Sequence, residues 1–89
     1  MTGNRDSERI EKARRERARL KELWPREYAD GLRLGHTGQA EGKREPGDYP
    51  HGFHSWPIER RNAWFAGFNT GYTLAMIEEE EDRNARKTP

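Results

Sequence analysis

Between residues 63 and 75 every fourth position is small: Ala63, Gly67, Gly71 and Ala75. On a helix, residues four apart stack on one face, so this row makes a strip without bulk along which a second helix backbone can come close. Such an approach has to offset a propensity cost, since a glycine inside a helix is about 1 kcal/mol worse than alanine. The row runs through NAWFAGFNTGY, the most aromatic stretch of the chain, and Gly31 and Gly35 leave a similar gap in an earlier segment. The pattern predicts two helices in intimate contact, with Trp64, Phe65, Phe68 and Tyr72 packed against Tyr28 and Leu32. The fold class that follows is all-α: a small helix-loop-helix hairpin with a charged helical extension in front of it.

From Ser7 to Leu23 helix formers dominate, without Gly or Pro, and Ser7 stands as an N-cap ahead of Glu8 and Glu11. Only Ile10, Ala13, Leu20, Leu23 and Trp24 give it an apolar side, so residues 1–24 are expected as an extension whose first half projects or frays. Pro25 suits the first turn of a second helix, predicted to reach about Leu34 with Gly35 as its cap. Gly35 to Gly52 holds five glycines and two prolines, which predicts a long loop. Its C-terminal end is expected to fold back onto the core through Tyr49, Phe53 and Trp56. The main helix is predicted from about Pro57 to at least Ile77, burying Ile58, Arg61, Phe65, Phe68, Tyr72, Ala75 and Met76. Residues 25–77 are then the hairpin, and 78–89 an acidic and polar tail.

With 30% hydrophobic and 37% charged residues, a chain of 89 residues can bury one small core. It has no cysteine, which removes disulfides and thiolate metal sites from consideration. No apolar run approaches the roughly 18 residues of a membrane span, and MTGNRDSERIEKARRER lacks the apolar centre of a signal peptide. A soluble, cytoplasmic protein is the expectation. The net charge of +1 conceals an uneven distribution. Arg5 to Leu23 carries eight basic and five acidic side chains, Arg26 to Trp64 balances at six each, and Glu78 to Asp82 is five consecutive acids. Any phosphate-binding surface is therefore local and toward the front of the chain.

Tyr28-x-x-Gly31 followed by Gly35, a Gly-rich loop with a Tyr/Pro pair, and then Arg61-x-x-Trp64-Phe65-x-Gly67-Phe68 together resemble the ribosome modulation factor (Rmf/CrpP-like) family. The second group is similar to that family's Arg-x-x-Trp-Leu-x-Gly-Trp signature at the same spacing. The resemblance covers about Arg26 to Ala75. In the loop this chain has Asp48-Tyr49-Pro50 where the family has Cys-Pro-Tyr. The resemblance implies two helices joined by a loop, binding to the small ribosomal subunit and its RNA, and modulation of translation under stress.

For such a role Arg14, Arg15, Arg17, Arg19 and Lys21 on the first helix are candidate RNA contacts, with Lys43, Arg44, Arg60 and Arg61 near the hairpin. Arginine offers planar, bidentate contacts to phosphate and stacks on unpaired bases. Glu8, Glu11, Glu16 and Glu22 are interleaved, however, and pairs such as Glu8 with Lys12 and Glu11 with Arg15 equally describe a solvated charged helix. Trp24, Tyr49, Phe53 and Trp56 are candidate contacts for a protein partner. His51 and His54, with His36 and Asp48, are a weak zinc signal without cysteine, and no metal or cofactor is expected. No phosphate-cradling Gly-Lys-Ser/Thr loop, G-x-S-x-G or cysteine nucleophile is present, so no enzyme is expected. The alternative function is a small protein-binding inhibitor or adaptor, phage- or plasmid-borne, acting on a protein target.

Overall fold

A computed structural model of the chain describes residues 2–87, with side chains from Arg5 to Arg86. Met1, Thr88 and Pro89, at the outer ends of the predicted extension and tail, lie outside the described residues. Three α-helices follow in order: α1 (Thr2–Leu23), α2 (Pro25–Ala40) and α3 (Ile58–Lys87), with a 3-10 turn at Phe53–Ser55 before α3. Among the described residues there is no strand, and the fold is all-α.

Several boundaries differ from those expected. Helix α1 is already formed before Ser7, which lies inside it and is not its cap. Helix α2 continues through Gly35 and Gly38 to Ala40, so Gly35 is not a terminus and the connection runs over residues 41–57. The reason is tertiary: Gly35 is buried where a Cβ would overlap the Phe68 carbonyl of α3, and Gly38 is buried beneath the Lys43 carbonyl of the connection and the Phe68 ring. Pro57 precedes α3 and its carbonyl accepts the Arg61 N–H at 3.1 Å. Helix α3, predicted to reach at least Ile77, runs on through the acidic segment to Lys87, in keeping with that expectation.

The two central helices run parallel. Arg60 Nε donates to Glu27 at 2.7 Å, Trp64 Nε1 to Asp30 at 3.1 Å, His36 Nε2 to Glu78 at 2.8 Å and Gln39 Nε2 to Glu79 at 2.6 Å, so partners advance together along both helices. The long Gly-rich connection makes this possible, because it has to return from the end of α2 to the start of α3. A two-residue turn could join only antiparallel helices.

At the crossing the small residues interlock reciprocally. A Cβ built on Gly31 would overlap the Trp64 carbonyl oxygen, and one on Gly35 that of Phe68. Conversely, a Cβ on Gly67 would overlap the Tyr28 carbonyl and one on Gly71 the Leu32 carbonyl. Each of these glycine Cα–H groups therefore points at a carbonyl of the opposite helix. Such contacts contribute roughly 0.5–1 kcal/mol each, which offsets the propensity cost of the glycines. Tyr28 OH adds a hydrogen bond to Thr70 Oγ1 at 3.1 Å.

Aromatics close one side of the crossing. Trp64 is fully buried and Phe68 and Phe53 nearly so, with ring centroids 5.6 Å apart for Trp64–Phe68 and 5.3 Å for Phe53–Trp64. Tyr28 is buried, while Leu32, Phe65 and Tyr72 are half-buried. The predicted stripe is displaced toward the glycines: Ile58 is 64% and Met76 49% exposed, and Ala63, Trp64, Gly67, Phe68, Gly71 and Ala75 form the buried face. The connection lies over this face because a polar chain has few other apolar side chains with which to cover it.

Trp24 separates α1 from α2 with φ −129° and ψ 60°. Helical hydrogen bonding nevertheless continues on both sides, from Trp24 N to Leu20 O at 2.8 Å and from Tyr28 N to Trp24 O at 3.0 Å. Leu20 is the one buried side chain of α1 among the described residues. The radius of gyration is 15.5 Å, against about 12 Å for a compact chain of this length. Projecting helices account for the excess.

Candidate functional site

The α1 arm carries most of the candidate RNA contacts. All its described side chains from Arg5 to Arg19 are exposed, as a helix with so thin an apolar side requires. Its ion pairs form at i,i+3, where Arg14 meets Glu11 at 3.6 Å and Arg19 meets Glu16 at 2.6 Å, instead of the expected Glu8–Lys12 and Glu11–Arg15 pairs. Arg19 also reaches Glu59 of α3 at 3.0 Å, which clasps the base of the arm to the start of α3. The hydrogen bond from Arg19 holds the Glu16 carboxyl below its ordinary range, helped by the charges of Arg19 and Lys12. Donating to the Glu16 and Glu59 carboxylates raises the Arg19 guanidinium above its ordinary value. Lys21 Nζ stands 5.5 Å from the Tyr28 ring centroid. Arg15 and Arg17 make no ion pair among the described residues, and Arg17 borders an open groove of about 580 Å³ between α1 and α3.

The other candidate cations are dispersed and partly engaged. Arg60 is half-buried, paired with Glu27 and stacked over Trp56 with its Cζ 3.8 Å from the ring centroid. Arg61 is half-buried, and its Nε is buried without a hydrogen-bond partner among the described residues. Lys43 lies 3.5 Å from Glu41, and Arg44 is exposed on the connection without an ion pair among the described residues. The structure thus gathers Arg14, Arg15, Arg17, Arg19 and Lys21 on one projecting helix, apart from the pair formed by Arg60 and Arg61.

Of the candidate partner contacts, Phe53 is a core residue and presents no exposed face, because Tyr49, Trp56, Trp64 and Phe65 surround it. Trp56 is half-buried beneath Arg60, and Trp24 is half-buried at the break between helices. Tyr49 remains exposed while stacking on Phe53 at 4.8 Å. Among the described residues no group of three His, Asp or Glu side chains is placed to hold a metal, and His36 is engaged with Glu78. No helix is long and apolar enough to cross a membrane among the described residues.

Sequence reasoning missed the polar contacts that lock the crossing, Glu27, Asp30 and Thr70. Their signal was position: Glu27 and Asp30 flank Tyr28 and Gly31 on one turn of α2, where a solvated side chain was no more expected than a bonded one. Leu20 was one of five apolar candidates on α1, and only packing distinguishes it. Comparison with protein-family models, with curated proteins and with solved structures finds no match for this chain.

Proposed function

We propose that this chain is a non-enzymatic, cytoplasmic translation modulator that binds the small ribosomal subunit through its RNA, in the manner of the ribosome modulation factor family it resembles. The observation that carries the reading is how the resembling residues are used. Tyr28, Gly31 and Gly35 meet Trp64, Gly67 and Phe68 in one interlocked crossing. The motif is thus a packing unit, and the basic α1 arm projects from it with Arg15 and Arg17 free for phosphate. Phosphate contacts position a protein on RNA without reading its sequence, which suits a shape-recognising arm.

The test is co-sedimentation with ribosomes in lysate gradients over a salt series, where contacts to phosphate are strongest at low salt. The chain is expected with the small subunit, and Arg14→Glu with Arg15→Glu is expected to release it. Retention at the top of the gradient at low salt removes the reading. A second reading, an inhibitor or adaptor acting on a protein target, is favoured by the even charge of residues 26–64 and the ion pairs of Arg19 and Arg60. It predicts that same failure to sediment.

A further inference from the structure

Two helical segments project beyond the packed unit, one basic and one acidic. Arg9 to Lys21 holds seven basic and two acidic side chains, whereas Glu78 to Asp82 is wholly acidic. Each segment also carries apolar side chains left uncovered: Ile10 is 53% exposed on α1, and Leu74 and Ile77 are 42% and 46% exposed on α3. An exposed helix of this kind gains little from propensity alone, and most helical stability in proteins comes from packing an amphipathic face.

The positions correspond. Ile10, Ala13, Arg14 and Arg17 repeat the spacing of Leu74, Ile77, Glu78 and Glu81, each series advancing by three, one and three residues along one helix face. Laid parallel, the two stripes set Ile10 on Leu74, Ala13 beside Ile77, Arg14 by Glu78 and Arg17 by Glu81. Within one chain Ala13, Arg17 and Leu74 line the open groove between α1 and α3, but the parallel register cannot form there. Arg19 is held 3.0 Å from Glu59 and Leu20 is buried, so the base of α1 sits at the beginning of α3. Glu81 lies about 33 Å further along that helix at 1.5 Å per residue.

We propose that the chain self-associates as a two-fold dimer in which α1 of each copy lies parallel against the far half of α3 of the other. The occupant of each exposed stripe is then a second copy, selected by charge complementarity and by the matching apolar positions. Glu78 keeps its bond to His36 and offers its exposed face to Arg14. Arg17 and Glu81, neither in an ion pair within its own chain among the described residues, neutralise each other. The contact forms twice by symmetry, as an isologous interface requires.

The test is sedimentation of the purified, nuclease-treated chain without ribosomes, over roughly 1 μM to 1 mM. The mass is expected to rise from 10.5 kDa toward twice that value with concentration, and to fall back as salt screens the charges. Arg14→Glu with Arg17→Glu, and separately Glu78→Lys with Glu81→Lys, should each weaken association at least about tenfold. An equimolar mixture of the two variants should restore it, since both contacts are then complementary again. Because the chain has no cysteine, a copy with Ile10→Cys and a copy with Leu74→Cys should form a mixed disulfide faster than either does alone. A monomer at every concentration overturns the proposal, as does a dimer indifferent to both charge reversals. An intramolecular disulfide in a chain carrying both cysteines, without dimer, overturns it in favour of an arm folding on its own chain. Because the dimer engages Arg14 and Arg17, two of the candidate RNA contacts, association is measured without ribosomes, and the lysate gradient decides ribosome binding separately.

Discussion

The α2–α3 crossing and the α1 arm are both helical, but they are stable for opposite reasons. At the crossing the side chains have been removed: four glycines bring two backbones within reach of each other's carbonyls, and polar partners flank the seam. On the arm the side chains are long, charged and solvated, and one leucine supplies the buried contact. The crossing tolerates almost no added atom, and the arm tolerates almost any. Stability and recognition are thereby assigned to different parts of a very small chain, and substitutions should separate them.

The strongest way to break the comparison is Gly67→Leu. Its Cβ would occupy the Tyr28 carbonyl, so the helices must separate and the Trp64 and Phe68 packing opens with them. Overpacking of side chains typically costs about 1–3 kcal/mol, and here the obstructing atoms are backbone, which cannot rotate away. Loss of the cooperative thermal transition is expected. Gly47→Leu, where nothing lies within 4 Å, is the control and should leave the melting temperature nearly unchanged. An equal response from both would show that the crossing is not closely packed.

Leu20→Ala tests the joint between the regions and should have a middle-sized effect. A buried leucine reduced to alanine typically costs 2–5 kcal/mol, and the lower part of that range, about 2 kcal/mol, applies at the edge of this core. Hydrogen exchange should rise along α1 while the amides around Gly67 and Gly71 retain their protection. Uniform loss of protection would instead make the arm and crossing one cooperative unit.

What the sequence disclosed divides along the same line. The glycine row, the partner helix and the burial of Trp64 and Phe68 were legible because periodicity reports directly on which face is packed. The same rule misplaced the end of α2, since Gly35 and Gly38 look like helix breakers until a neighbouring backbone gives them a purpose. The direction of α3 could not be read from local pattern, because loop length permits a parallel return without specifying it. Of the candidate site, the clustering of Arg14 to Lys21 on one helix was legible from propensity. The engagement of Arg19 with Glu59, and of Arg60 with Glu27 and Trp56, depends on long-range geometry that composition does not encode.

The smallest expected effect is electrostatic and sharpens the comparison at its boundary. The hydrogen bond from Arg19 lowers the Glu16 carboxyl below its ordinary value of 4.5, so the ionised form favours the folded arm. That contribution is fully present above the unfolded value and is lost as pH falls through the lowered folded value. Because the pair is solvent-exposed, its effect is at the weak end of ion pairs. Acidification through this range should loosen the base of α1, seen as a fall in the amide protection factors there, corrected for the intrinsic pH dependence of exchange, and Glu16→Gln should remove most of that effect. The contacts made by Gly67 and Gly71 are to backbone carbonyls, which do not titrate. Their protection should therefore fall proportionately less than that of α1, and an equal fall would mean that the clasp between Arg19 and Glu59 transmits the arm's titration into the crossing.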